Sequence, residues 1–381
     1  MPVLLYLYLA REMLASLFAT LLILTGLFFC GKLVPFLNVI LQFHIGFADF
    51  IRISFYILPK LLWFSIPVAS MLGIVLCFSR LATDNEILIL KASGITIYKM
   101  LPPIVVISSA MAVMTFYTAA YLVPAGTKAM NALLLKLARE KIKESIVAGE
   151  FNGGIGKFVL YTEYVDSNTS QMKGLYLADF SKEEMPSIIV AKRGSLNTSH
   201  KTITLMLHEG TIHRIHGEIS QSIAFQEYEQ IMPLEVGEIS GASFGRGSMT
   251  LPELREEANR AGVREREGAL FMAEFHKRLA IPVSCFFLGL IAFPLGLKAN
   301  TGRSTVGIRY SLFFMTLYYI LTGIGEALIS RQIFPAEIIW LPSVGIAGLT
   351  FFFVRAANNE HITLFNLTFR EWLKTKRKIS R

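Results

Sequence analysis

Met13-Leu-Ala-Ser-Leu-Phe-Ala-Thr-Leu-Leu-Ile-Leu-Thr-Gly-Leu-Phe-Phe-Cys-Gly31 carries no charged side chain. A helix of about 18 or more apolar residues crosses roughly 30 Å of hydrocarbon, so this stretch reads as a membrane span. Gly31-Lys32 follows it without a convincing small-x-small cleavage site, so it reads as a retained span and not as a signal peptide. Five further runs have the same character, at 54–78, 100–123, 280–297, 310–329 and 337–354. The second is interrupted by Pro59, Lys60 and Pro67. The expected fold class is an α-helical membrane protein with six transmembrane helices. Residues 2–12, which include Arg11 and Glu12, read as a short interfacial helix leading into the first span. The stretch holding Phe36, Asn38, Gln42 and Asp49 reads as a connector.

The remaining composition agrees with a membrane chain. Of 381 residues, 53% are hydrophobic and 17% charged, and the apolar ones concentrate toward both ends. The net charge of +9 sits largely beside apolar runs and in the tail Arg370 to Arg381, which points to membrane orientation and anionic lipid instead of nucleic acid. With the N-terminus inside, the short inner segments carry 14 Lys and Arg, and the short outer ones carry three (Lys32, Arg52 and Arg331). That bias places both termini in the cytoplasm and the middle region outside. The expected layout is 1–123 with three spans, 124–279 as a periplasmic β domain with connecting helices, 280–355 with three spans, and 356–381 as a basic cytoplasmic tail. Cys30, Cys77 and Cys285 all fall in apolar runs and none in the polar middle, so no disulfide framework or Cys metal site is expected there.

Between about 146 and 240 the pattern changes to short strands. Thr202 to His208 alternates Ile203, Leu205 and Leu207 on one face, and 157–165, 174–180, 187–193, 211–216 and 222–229 are similar. This spacing predicts an inserted all-β domain, a jelly-roll-like sandwich, whose open edge suits strand addition by a partner. Thr250-Leu-Pro-Glu253 fits a capping box opening a helix that returns the chain to the fourth span.

Enzymatic motifs are missing. There is no G-x-x-x-x-G-K-[ST], since Gly156-Lys157 is followed by Phe158. No cofactor is expected, and any work must be driven by a partner or an ion gradient. His208, His213 and His216 miss the metalloprotease spacing and read as solvated strand histidines, so no metal ligands are expected. Gly153-Gly154-x-Gly156 and Gly245-x-Gly247 read as turns. No His, Glu or Asp constellation lies inside the spans, so no catalytic residue is assigned.

The segment Arg80-Leu-Ala-Thr-Asp-Asn-Glu-Ile-Leu-Ile-Leu-Lys-Ala-Ser-Gly94 is the most informative. Thr83-x-x-Glu86 can cap a short helix; Ile87, Leu90 and Gly94 would share one face, and Gly94 can end it. Such a helix can press into a groove on a soluble subunit and pass its motion to the spans. It can equally be an ordinary amphipathic loop helix with Glu86 as a cap partner. The residues alone leave both readings open.

Asn85-Glu-Ile-Leu-Ile-Leu-Lys-Ala-Ser-Gly94 closely resembles the coupling-helix motif of the LptF/LptG permeases of lipopolysaccharide export. The resemblance covers nearly the whole chain: Arg11-Glu12, Phe28-Phe-Cys-Gly-Lys-Leu-Val34, the three-plus-domain-plus-three layout and the Thr250 helix. Phe28 to Val34, Gly149-Glu-Phe and Val159 to Asp166 look more like LptF than LptG. The resemblance implies a non-catalytic permease subunit of an ABC transporter in the inner membrane of a Gram-negative bacterium. Its implied partners are a dimeric cytoplasmic LptB-like ATPase, which binds ATP and Mg, a second, LptG-like permease, and an LptC/LptA-like periplasmic bridge. The implied cargo is lipopolysaccharide, entering sideways between span 1 of one permease and span 5 of the other. Asn85, Glu86, Ile87, Leu90 and Gly94 are then the coupling helix, with Glu86 at the family's acidic position. Lys32 matches a basic residue near the lipid's phosphates; the further basic residue found three positions later in some relatives is Pro35 here.

Three charged residues are lipid-binding candidates. Lys32 at the outer end of span 1 also fits simple snorkelling. Lys60 lies a few residues inside span 2, and Glu326 near the outer end of span 5, where a charge is costly unless paired or wet. The two could pair, or each could face the transport cavity. The alternative function is an envelope-assembly membrane scaffold recruiting a periplasmic partner through its β domain, which would not need the capped helix.

Overall fold

The computed structural model describes residues 2–43, 46–145, 148–155, 158–166, 171–180, 187–198, 202–216, 219–233, 245–263, 265–297 and 305–358. The basic tail beyond 358, Gly156-Lys157 and the basic residues Lys298 and Arg303 lie outside the described residues. Two compact units result: a helical one from 1–34, 57–126 and 246–381, and a second from 35–56 and 127–245.

The helices are α1 (Pro2–Phe43), α2 (Phe47–Thr83), α3 (Glu86–Ala92), α4 (Ile97–Tyr117), α5 (Val123–Ser145), α6 (Leu251–Ala261), α7 (Arg266–Leu297), α8 (Thr305–Ser330) and α9 (Trp340–Asn358). A π turn, Thr118–Leu122, joins α4 to α5 without a break. Among the described residues, six helical stretches are long and apolar enough to cross a membrane: Val3–Val34, Phe47–Thr83, Ile97–Leu137, Arg266–Leu297, Val306–Ser330 and Ala336–Ala357. Each is longer than its apolar run. Residues 2–12 are not a separate interfacial helix but the opening turns of α1, and the expected connector at Phe36 and Asn38 is helical. Hydropathy marks what sits in hydrocarbon; it does not mark where backbone hydrogen bonding stops. Isolated charges such as Arg11 and Glu12 interrupt the first and not the second.

Spans 2 and 4 form the centre of the bundle, with 78% and 72% of their apolar windows buried, against 11% for span 1. Span 1 is held along one stripe, Leu9, Met13 and Leu17, spaced at one helical turn. Its other side exposes Phe18 and Leu22. Close approach between α1 and α2 depends on Gly73, where a Cβ would lie 2.7 Å from the Leu17 Cα. Without a hydrophobic drive between helices in lipid, small residues that allow backbone contact hold such crossings.

The second unit contains a six-stranded antiparallel sheet in chain order: β1 (Phe151–Ile155), β2 (Phe158–Asp166), β3 (Gln171–Asp179), β4 (Ser187–Thr198), β5 (Thr202–His216) and β6 (Ile219–Pro233). The two strands expected at 202–208 and 211–216 are one strand. Its alternation slips at Glu209, which has φ 53°: Leu205 and Leu207 are buried before it, Ile212 after it. The same slip runs across the sheet. Inward positions Thr162, Leu175, Ala191, Gly210 and Phe225 are paired neighbours in one row. Val165, Met172, Gly194, Leu207 and Tyr228 form the next inward row. Two consecutive residues separate the rows on every strand, where strict alternation allows one. The sheet is thereby creased, and apolar residues from both sides of the crease share one core. The domain is all-β as expected. Its layering comes from folding one meander, whereas a jelly roll exchanges strands; the described strands pair only with chain neighbours.

Candidate functional site

Helix α3 hangs between α2 and α4 at one end of the helical unit. Asn85 is its N-cap in the left-handed region, φ 60°, with no side-chain cap bond. The box expected between Thr83 and Glu86 does not form. Thr83 is still part of α2, and its hydroxyl donates to the Ser79 carbonyl at 2.8 Å. The Glu86 carboxylate accepts a 2.7 Å hydrogen bond from the Tyr8 hydroxyl of α1. Arg80, in the last turn of α2, reaches Glu12 of α1 at 3.3 Å and Asp84 at 3.6 Å. The other end of α3 closes with a Schellman pattern: the Ile95 N–H donates to the Leu90 carbonyl at 3.1 Å and the Gly94 N–H to that of Lys91 at 3.0 Å. Gly94 has φ 81°, which a side chain would strain.

Ile87 is buried and Leu90 packs against the bundle core, so the face they share points inward. Gly94 lies exposed beyond the helix end. Leu88 and Ile89 are 54% and 62% exposed, and they form the outward apolar face. Ile87 to Leu90 are all apolar, so the outward face carries no compositional mark in the sequence, and Tyr8 lies 78 residues from its partner.

The lipid-binding candidates lie toward the opposite end. Lys32 lines a cavity of about 410 Å³ with Leu27 and Phe28 of α1, Leu61 and Phe64 of α2, and Tyr319 of α8. This is in the size range of small-molecule pockets. Its walls are almost wholly apolar, and among the described residues Lys32 is the one charged residue lining it. The Tyr319 hydroxyl donates to the Phe64 carbonyl at 3.2 Å, joining α8 to α2 behind the cavity. Lys60 is exposed on α2, with Lys32, Glu274 and Lys277 as its charged surroundings.

Glu326 does not pair with Lys60. It accepts a 2.7 Å bond from Lys277 of α7, whose ammonium stands 5.7 Å from the centre of the Trp63 ring. The expected fourth span began at 280, but α7 starts at Arg266 and so carries Lys277 into reach of α8. The same extension holds Arg278, which is fully buried. Its guanidinium bonds Glu274 at 3.1 Å and the carbonyls of Met249, Arg246 and Gly247 at 2.5, 3.0 and 3.2 Å. That pins the segment opening at Arg246 onto α7. The Thr250 box is present as read, with the Thr250 N–H donating to Glu253 at 2.7 Å. His208 faces Glu227 at 3.5 Å and His213 faces Ser222 at 2.7 Å on the sheet surface. Among the described residues no three His, Cys, Asp or Glu side chains come together as a metal site.

The family described as Lipopolysaccharide export system permease LptF/LptG matches residues 7–356. The chain belongs to the LptF/LptG permease family. It is a multi-pass membrane protein and, like the family, a non-catalytic transmembrane permease. Among curated relatives it is similar to the lipopolysaccharide export system permease protein LptF of Escherichia coli K12, 22% identical over 327 residues, covering 83% of this chain and 85% of that protein. The same figures hold for LptF of Shigella flexneri. The matched region of this LptF/LptG permease includes α3, the Lys32 cavity and the β domain.

Proposed function

We propose that this LptF/LptG permease is one of two permease subunits that extract lipopolysaccharide from the inner membrane and hand it to a periplasmic bridge protein. Its termini lie in the cytoplasm and its β domain in the periplasm, in keeping with the Lys and Arg bias of its short loops. A dimeric LptB-like ATPase binds ATP and Mg and drives the cycle; an LptG-like chain is the second permease; an LptC/LptA-like protein receives the lipid.

The observation that carries the reading is α3, which is anchored inward by Ile87 and turns Leu88 and Ile89 outward beside the carboxylate of Glu86. A short, capped helix with an apolar outer face is the right shape to seat in a groove of a soluble subunit. Asn85 and Gly94 set its two ends, and Ile87 and Leu90 join it to the bundle. The apolar cavity with Lys32 at its wall suits an amphiphile with acyl chains and phosphates. Lys60 adds positive charge nearby, and the Lys277–Glu326 pair frames the same end of α8.

Purification from native membrane in mild detergent tests this, comparing the intact chain with Glu86→Ala and Leu88→Asp. Co-purification of an ATPase and a second six-span permease with the intact chain, with the ATPase lost or uncoupled in the variants, is the expected result. An intact chain that brings down neither would overturn the transporter reading in favour of a scaffold that recruits partners through its β domain.

A further inference from the structure

Covalently, α3 is attached only to α2 and α4, so force applied to it would pass first to spans 2 and 3. The side chains add a third route. The Tyr8 hydroxyl donates to Glu86 across 78 residues of sequence, and Arg80, just before α3, holds Glu12. Tyr8 and Glu12 are four residues apart and therefore share a face of α1. Both ties join one turn of span 1 to α3 and its root.

Span 1 is suited to receive such a push. One uninterrupted helix runs from Tyr8 to Lys32, about 36 Å at 1.5 Å per residue. Its far part supplies Leu27, Phe28, Gly31 and Lys32 to the cavity wall. Its packing is sparse, with 11% of its window buried, whereas span 2 has 78%. Of the spans that line the cavity, span 1 is the least buried, since span 5, the third wall, has 28% of its window buried.

We propose that Tyr8 is a positioning residue through which movement of the Glu86 helix is delivered to span 1, so that α1 is the moving wall of the cavity. The inference rests on the transporter reading above. Glu86 then has two roles: it borders the outward face of α3, and it is the acceptor that links that helix to span 1. The Glu12–Arg80 pair is a second, parallel tie.

The test uses the full transport complex in vesicles containing lipopolysaccharide and measures lipid released per ATP hydrolysed. Tyr8→Phe removes one hydroxyl and leaves Glu86 in place. The expected result is continued capture of the ATPase, with lipid released per ATP falling at least about fivefold, the lower end of ordinary coupling between sites. Glu12→Arg lowers the same ratio, and adding Arg80→Glu restores it, which a merely misfolded span 1 would not do. A Tyr8→Phe complex with a ratio within about twofold of wild type overturns the inference and leaves the transporter reading standing. Loss of ATPase capture by Tyr8→Phe also overturns it, because Tyr8 would then serve docking. A wild-type chain that captures no ATPase removes the transporter reading itself.

Discussion

The ammonium of Lys277 meets the carboxylate of Glu326 at 2.7 Å under the ring of Trp63, and so α7, α8 and α2 are joined at one point. Lys277 is 15% exposed and Glu326 40%, so removing either leaves a partly desolvated charge. Lys277→Met or Glu326→Leu alone should cost about 1–3 kcal/mol, below the range for fully buried pairs. The double variant should recover much of the loss. Thermal unfolding of the two singles and the double in one detergent gives the coupling directly. Strictly additive losses would mean the pair contributes no interaction of its own.

Arg278 is the most deeply buried cation described and serves three carbonyls and one carboxylate. Arg278→Met should destabilise by about 3–5 kcal/mol, because Glu274 and the carbonyls lose their donor in a dry site. Arg278→Lys should rescue little, since one ammonium cannot reproduce the planar fork. Protease sensitivity at 246–249 is the readout, and cleavage there should rise in both variants. Unchanged cleavage would show that other contacts hold this segment.

Gly73 permits the backbone of α2 to approach Leu17, whereas a Cβ at Gly345 would meet nothing within 4 Å. Gly73→Val should push span 1 off span 2 and cost about 1–3 kcal/mol through overpacking. Gly345→Val serves as the control and should change stability by less than about 0.5 kcal/mol. Comparing the two melting curves tests the crossing; equal shifts would count against it.

Gly174 lies on the crease of the sheet with φ 61°, and a Cβ there would collide with the Glu163 side chain. Gly174→Val should strain the backbone by about 1–3 kcal/mol and loosen the β domain without altering the helical unit. Hydrogen exchange should rise across β2, β3 and β4 and stay unchanged in α2 and α7. Exchange rising equally everywhere would place the effect outside the crease.

The six spans, the inserted all-β domain and the Thr250 helix were legible in the sequence because each depends on local chemistry: apolar length, strand alternation or a cap and its partner three residues on. The family was legible because the motif at Asn85 to Gly94 is compact and unbroken. Gly94 as the end of α3, and Ile87 and Leu90 as one face, followed from helical period. Thr83 does not cap α3 because its hydroxyl has an equally local alternative, the Ser79 carbonyl four residues back, and Thr83 itself is still the last residue of α2.

What the sequence by itself determined was how many times the chain can cross a membrane and which segments are strand or helix, since hydrocarbon and backbone hydrogen bonding act on neighbours along the chain. The tertiary structure alone decided the partners of the charges. Glu326 met Lys277 and not Lys60, Glu86 met Tyr8, and the meander creased between two rows of paired residues. These relations join residues tens of positions apart, and a charge or hydroxyl carries no local mark of which distant helix will supply its partner.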